Sequence, residues 1–376
     1  MPQPQPGLFT VHTHLHFHQF LTLKPGTKPS EVVAAITRAR MDSSWIGGPN
    51  IVWGFGPDLW RSLMPESTPA DVANFEGIHG IDGVSAPATQ WDIWVWCHGS
   101  EYDVVWEAAR YIHIALADVC DLQEDLQCYK AADSRDPIGF IDGSENPAMD
   151  EALEVSLVPD GEPGAAGTSV FIQKWIHNLP AFDALSLEGQ EDVFGRSKAD
   201  SVEMDDDVKP ATSHVARNVI LDAEGNERHI YRLNTPFASV DEVGTLFIGC
   251  TRETDRLNTM LSRMFGTSGD GLTDHLTKFS TPVTGSWFFA PSMNDLTAAF
   301  GGINALPDEI IVSGGVEINP DEAKELGADI NLPAQAPTAP APAQAEVRTS
   351  SSPGSLNIGS LMGESSYLTT ENDDEA

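Results

Sequence analysis

The chain has 376 residues, with 21 Lys+Arg against 56 Asp+Glu for a formal net charge of -35. A surface this acidic repels phosphate backbones and anionic bilayers, which argues against nucleic-acid and membrane partners. Its 41% hydrophobic content, including 16 Phe and 9 Trp, is that of a folded chain long enough for two to three domains.

In chain order, the opening MPQPQPGLFT lacks a basic region, a twin arginine and an apolar signal core, and no run reaches the roughly 18 apolar residues of a membrane span. A cytoplasmic protein is the expectation. Leu8 to Leu23 alternates with period two and predicts a strand, and Ser30 is positioned to cap a helix running through Arg40. Within that first strand His12, His14, His16 and His18 fall on one face. Alternate residues on a strand stand about 6.6 Å apart, too far for all four to reach one ion, so a solvated or interface face is expected. Asn50 to Phe55 and Gln90 to Cys97 read as strands, and Val105, Ala109, Ile112, Leu116 and Val119 form one helical stripe.

After the break at Asp136-Pro137 a similar order returns. Strands are predicted at Ser169 to Ile176, around Asn218 and Ile230, at Gly244 to Cys250 and at Gly285 to Ala290, with a helix from Asp255 to Phe265. Two α+β units, each an antiparallel sheet with helices on one side, fit this pattern. Cys97, Cys120, Cys128 and Cys250 make neither a CxxC pair nor zinc spacing, so buried thiols without a disulfide are expected. Residues 331–353 are Pro/Ala-rich and predict a flexible linker. Residues 354–376 follow, a short apolar motif before an acidic tail, which reads as a docking peptide.

The most specific string is Asp136-Pro-Ile-Gly139-Phe-Ile-Asp142-Gly143-Ser-Glu-Asn146-Pro147. An isolated Asp-Gly would mark only a turn. The whole string resembles the GxxDG motif of dye-decolourising haem peroxidases, in Gly139, Asp142 and Gly143. His214, within Ser213-His-Val-Ala-Arg-Asn218, resembles that family's axial haem ligand, and Asp274 is the candidate carboxylate for its other ring nitrogen. Arg232 and Asn234, two apart in His229-Ile-Tyr-Arg-Leu-Asn-Thr235, resemble the family's distal pair, and Arg196 resembles the arginine that meets a haem propionate. The strand Thr284 to Ser292 resembles the family's closing strand.

This resemblance runs over most of residues 8 to 312 and implies a bacterial, cytoplasmic B-type member. Two ferredoxin-like domains are expected, at 1–135 and 136–330, the second holding one haem b per subunit, with a disordered tail after them. It implies reduction of hydrogen peroxide coupled to oxidation of dyes, phenolics or other bulky donors. Asp142 would move the proton between peroxide oxygens, Arg232 would stabilise the charge developing at O–O cleavage, and Asn234 would orient peroxide or water. A homo-oligomer is expected. The tail segment Gly354-Ser-Leu-Asn-Ile-Gly-Ser-Leu361 resembles the peptide that loads cargo enzymes into encapsulin shells, with Leu356, Ile358 and Leu361 as its apolar contacts. Two other readings stand beside this one: a haem-binding or iron-handling protein without rapid peroxide turnover, and a non-haem metal protein built on the histidine strand. The pairing of Asp142 with Arg232 favours the enzyme, because a carrier has no use for a distal acid-base group.

Overall fold

The computed structural model describes residues 2–302, apart from His12 and Trp45. The linker and the tail bearing Leu356, Ile358 and Leu361 lie outside the described residues. The first half contains β1 (Leu15–Leu23), α1 (Pro29–Ser44), β2 (Asn50–Phe55), α2 (Pro57–Leu63), the short β3 (Ile78–His79) and β4 (Ser85–Ala86), β5 (Ile93–Gly99), α3 (Tyr102–Leu116) and β6 (Cys120–Tyr129). The second contains α4 (Met149–Ser156), β7 (Thr168–His177), α5 (Leu179–Asp183), α6 (Leu187–Phe194), α7 (His214–Asn218), β8 (Tyr231–Arg232), β9 (Thr235–Ala238), β10 (Val243–Thr251), α8 (Thr254–Met264), β11 (Ser280–Pro282), β12 (Ser286–Ala290) and α9 (Met293–Phe300).

Both halves follow one plan. Strands lie in the order β6-β1-β5-β2 in the first and β12-β7-β10-β8 in the second, all antiparallel. In the first, α1 and α3 make the crossovers, which is the ferredoxin-like arrangement. β2 and β12 join the sheets edge to edge at Phe55 and Phe289. The alternation in β1 sorts its side chains: Phe17 and Leu21 pack beneath α1 and α3, against Ile36, Ala39, Ala109 and Ile112. On the other face, Phe20 joins Trp94 and Trp96 of β5, Leu126 and Cys128 of β6 and Phe288 of β12 in a second core, which the sheet encloses as β9 approaches β6. Fully burying such side chains is worth about 1.5–3 kcal/mol each. A third core, between β7, β12 and α8, contains Phe171, Trp175, Leu257, Leu261, Phe265 and Trp287. Finally, α9 returns to α1, where buried Arg40 donates to the carbonyls of Leu296 and Gly301, both at 2.9 Å.

Several expectations are corrected. The strand predicted from Leu8 begins at Leu15, because Pro6–Phe9 turns as a 3-10 helix. The strand expected near Asn218 is instead the end of α7. The histidine row is not a solvated face: His16 and His18 are buried, with 4% and 0% exposure, because the sheet closes over that side of β1 as β9 approaches β6, bringing Thr235 Oγ1 to 3.2 Å from His18 Nε2. His14 is exposed and precedes the strand, and His12 lies outside the described residues. All four cysteines are buried free thiols.

Candidate active site

The 136–147 loop is a chain of turns whose backbone is pinned from within. Asp136 N–H donates to Phe140 O at 2.9 Å, Asp136 Oδ1 accepts from Phe140 N at 3.1 Å, and Asp142 N–H donates to Ser134 O at 2.9 Å. Gly139 and Gly143 have φ of 91° and 82°, the left-handed region that side-chain-bearing residues avoid, so the spacing of the motif follows from its turns. Asn146 then clips the loop to the next functional segment: its Oδ1 accepts from Arg232 N at 2.9 Å and its Nδ2 donates to Arg232 O at 2.7 Å.

His214 is the first residue of α7, whose start is fixed by Ser213 Oγ accepting from Ala216 N at 3.3 Å. Buried Arg217 anchors the same helix to α8, with Nε donating to Arg263 O at 2.9 Å and Nη1 to Asp270 Oδ2 at 2.7 Å. His214 Nδ1 lies 2.7 Å from Oδ2 of Asp274, a fully buried carboxylate whose Oδ1 accepts from Leu276 N at 2.8 Å. The carboxylate holds the proton on Nδ1, leaving Nε2 with its lone pair and no hydrogen-bond partner among the described residues.

Asp142, Asn234, Arg232, Arg196 and His214 all line one cavity, of about 1390 Å³ with its open mouth included. Asn234 Nδ2 donates to Asp142 Oδ1 at 2.9 Å, which joins the motif loop to the segment after β8; the strand expected to carry both Arg232 and Asn234 ends at Arg232. Burial raises the Asp142 carboxyl above its ordinary value, against the opposing pull of the Arg232 and Lys130 charges and the Asn234 hydrogen bond. The remaining walls are largely apolar: Phe140 and Phe194 on one side, Trp175 and Phe247 from the sheet, Met260 and Met264 from α8. The Phe194 ring lies 5.3 Å from that of His214.

Arg196 is buried, and both of its terminal nitrogens are engaged. Nη2 pairs with Glu145 and, at 2.8 Å, with Glu203, while Nη1 donates to Ser201 O at 2.7 Å.

Three lining or clamping residues escaped sequence reasoning. Gln173 of β7 is 1% exposed, and neither of its amide atoms has a partner among the described residues. A buried amide left unpaired is costly, and with the unpartnered Oδ1 of Asn234 it marks the cavity as built for an occupant carrying polar atoms. Asp136 also lines the cavity, and its carboxyl is pushed up to about 7 by burial and then by Asp142 beside it. Asn146 was visible only as a turn residue. Nothing in an alternating apolar strand distinguishes Gln173, whereas an acid six positions before the motif aspartate was a signal for Asp136.

An imidazole with one nitrogen fixed and the other free, an apolar slot, and a carboxylate–amide–guanidinium group in the same slot form a donor set suited to a flat metallo-organic group. Residues 34–130 match the family described as Dyp-type peroxidase, N-terminal, and residues 133–295 match Dyp-type peroxidase, C-terminal. A dye-decolorizing peroxidase of Mycolicibacterium paratuberculosis is 39% identical over 244 residues, 64% of this chain and 69% of that protein. The cryo-EM structure of the encapsulated DyP-type peroxidase from Mycobacterium smegmatis is similar at 35% identity and a TM-score of 0.74, covering 79% of this chain and 98% of that one. A DypB variant from Rhodococcus jostii RHA1 in complex with heme is similar at 33% identity and a TM-score of 0.73, with 79% and 98% covered.

Proposed function

The chain belongs to the Dyp-type peroxidase family, and on that premise we propose that its cavity would hold one haem b through His214, with Asp142, Arg232 and Asn234 of the same cavity acting on peroxide. The observation that carries this reading is the convergence of two separate pairs on one cavity: His214 with Asp274, and Asp142 with Asn234. When bound, the haem supplies the two electrons that reduce peroxide. The residues of the chain do the rest. His214 offers Nε2 to the iron while Asp274 keeps the proton on Nδ1 and increases the ring's electron donation. Asp142 takes the proton from one peroxide oxygen and returns it to the departing one through the carboxylate oxygen that Asn234 leaves free of side-chain contact. Asn146, by holding both backbone groups of Arg232, keeps that guanidinium where negative charge develops. Arg196 is assigned to a propionate, sharing its guanidinium with Glu145 and Glu203. Dyes, phenolics and other bulky donors are the reducing substrates. The haem-carrier alternative gives no role to the Asp142–Asn234 pair, and the non-haem alternative loses its open face because His16 and His18 are enclosed.

The test is peroxide-dependent oxidation of a bulky dye by haem-loaded protein. Asp142→Ala and Arg232→Ala, singly and together, are expected to lower kcat/KM for peroxide by about 10²–10⁴-fold in the more sensitive variant. Full activity in all three overturns the assignment.

We further propose that the enzyme is a homo-oligomer packaged in an encapsulin shell in the cytoplasm, addressed by Leu356, Ile358 and Leu361. Its support is the sequence of that segment and the encapsulated relative. Each apolar contact is small, so several tails on one oligomer are needed for firm capture by a multivalent shell. Deleting residues 354–376 is expected to abolish co-purification with a co-expressed shell and to leave dye oxidation intact. Equal loading of the truncated chain would refute the address.

A further inference from the structure

The enclosed core holds a stack of histidines and tryptophans that the peroxide reaction does not use. Trp94 and Trp96 on β5 are 0% and 2% exposed, and their rings are 5.9 Å apart, inclined by 19°. Each indole N–H donates to a histidine of β1: Trp94 Nε1 to His18 Nδ1 and Trp96 Nε1 to His16 Nδ1, both at 3.2 Å. Since Nδ1 is the acceptor in both, the ring proton sits on Nε2, which donates to Thr235 Oγ1 at 3.2 Å from His18 and to Thr13 O at 3.2 Å from His16. Burial, reinforced by neighbouring imidazoles, lowers His16 to about 3 and His18 well below its ordinary value. Both rings are therefore neutral, and the one position open to a second proton faces an indole N–H.

The stack is wired to the cavity. Asp142 Oδ1 accepts from Asn234, Asn234 is joined by a peptide bond to Thr235, and Thr235 meets His18. We propose that Trp94 and Trp96, with His18 and His16 as their proton acceptors, are an internal electron store that quenches the oxidising equivalent left in the cavity when peroxide has been reduced and no donor is present. This rests on the peroxidase reading above. One electron leaves the Trp94 indole for that oxidising equivalent, which is thereby reduced by one electron. The Nε1–H bond breaks, an Nδ1–H bond forms on His18, and a neutral indole radical remains beside an imidazolium. Trp96 and His16 form an identical pair for a second electron. A one-electron donor from solvent reverses the step, and the proton returns from Nδ1 to the indole nitrogen. Even an imidazole of low basicity suffices, because an oxidised indole is a far stronger acid than its parent and the transfer moves a buried positive charge without creating one. Burial of both indoles keeps bulky donors from touching them, which suits a store rather than a substrate-oxidising surface.

The experiment is freeze-quench EPR of haem-loaded enzyme mixed with peroxide and no reducing substrate, with and without ring-deuterated tryptophan. The expected result is a protein radical whose lines narrow on deuteration and which is lost in W94F/W96F. That variant should oxidise dye at a rate within about threefold of the parent, yet lose activity sooner under excess peroxide alone. His16→Gln with His18→Gln keeps an acceptor for each indole N–H but not a base, so the tryptophan radical should be lost there too, and this variant with the deuterium result carries the test if W94F/W96F does not fold. A radical insensitive to tryptophan deuteration, or one that persists in W94F/W96F, overturns the store while peroxide reduction stands. Absence of peroxide reduction in the parent enzyme overturns both readings.

Discussion

His214 Nδ1 and Asp274 Oδ2 are 2.7 Å apart, and Asp274 is wholly buried at the start of the 3-10 turn His275–Lys278. The ring's tautomer is thus set by a carboxylate that cannot turn to solvent without abandoning Leu276 N–H. Asp274→Asn keeps an oxygen for that N–H but removes the charge. It is expected to weaken haem binding by about 10–100-fold and to raise the haem reduction potential, since a less polarised imidazole donates less to iron. Spectroelectrochemical titration of parent and variant checks the direction.

The Asp142 carboxyl is raised by burial and pulled down by Arg232. In its proposed role as proton acceptor it would work ionised, so the rate of peroxide reduction should fall as pH drops through a value above the ordinary carboxylate range. Arg232→Leu removes the opposing charge and should move that acid limb to higher pH. Asn234→Ala, by removing one hydrogen bond to the ionised form, should move it the same way by less. Stopped-flow pH profiles of peroxide reduction in the three proteins make the comparison.

Much of this site was legible because turn chemistry and alternation are local. Gly139, Asp142 and Gly143 follow from the turns they make, whereas Arg232 and Asn234 line one cavity although the strand expected across both ends at Arg232. What escaped depends on distant partners. Alternation put His16 and His18 on one face of β1, but only the closure of the sheet, with β9 approaching β6, makes that face interior. Strand β6 was missed because Cys120–Tyr129 is an edge strand with Asp121, Asp125 and Gln127 exposed, so its apolar pattern is sparse. Helix α7 was misread at Asn218 because five residues are too few to display a helical period.

Arg196 carries Glu145 and Glu203 on one guanidinium nitrogen. A propionate at this guanidinium would meet their negative charge, so Glu145→Gln is expected to tighten haem binding by about 2–10-fold. Haem titration monitored by tryptophan quenching reads the effect, and weaker binding would remove Arg196 from the propionate role.

Asp136 holds its proton to about 7 in the folded chain, against an ordinary 3.8, owing to burial and to Asp142. The folded state therefore binds more protons than the unfolded one between those values, and stability falls as pH rises through that window. The loss attributable to this carboxyl is at most about 4 kcal/mol. Asp136→Asn should flatten the fall. Denaturant unfolding of haem-loaded protein at the two ends of the window checks it.

The most direct test of the account is a haem titration of parent protein and His214→Ala followed by absorption and resonance Raman spectra. The parent is predicted to bind one haem per chain with an iron–imidazole stretch. His214→Ala should lose that band and bind far more weakly, with its backbone fold unchanged by circular dichroism. An unaltered axial-ligand band and equal affinity in His214→Ala would contradict the placement of haem in this cavity, and with it the roles given to Asp274, Asp142 and Arg232.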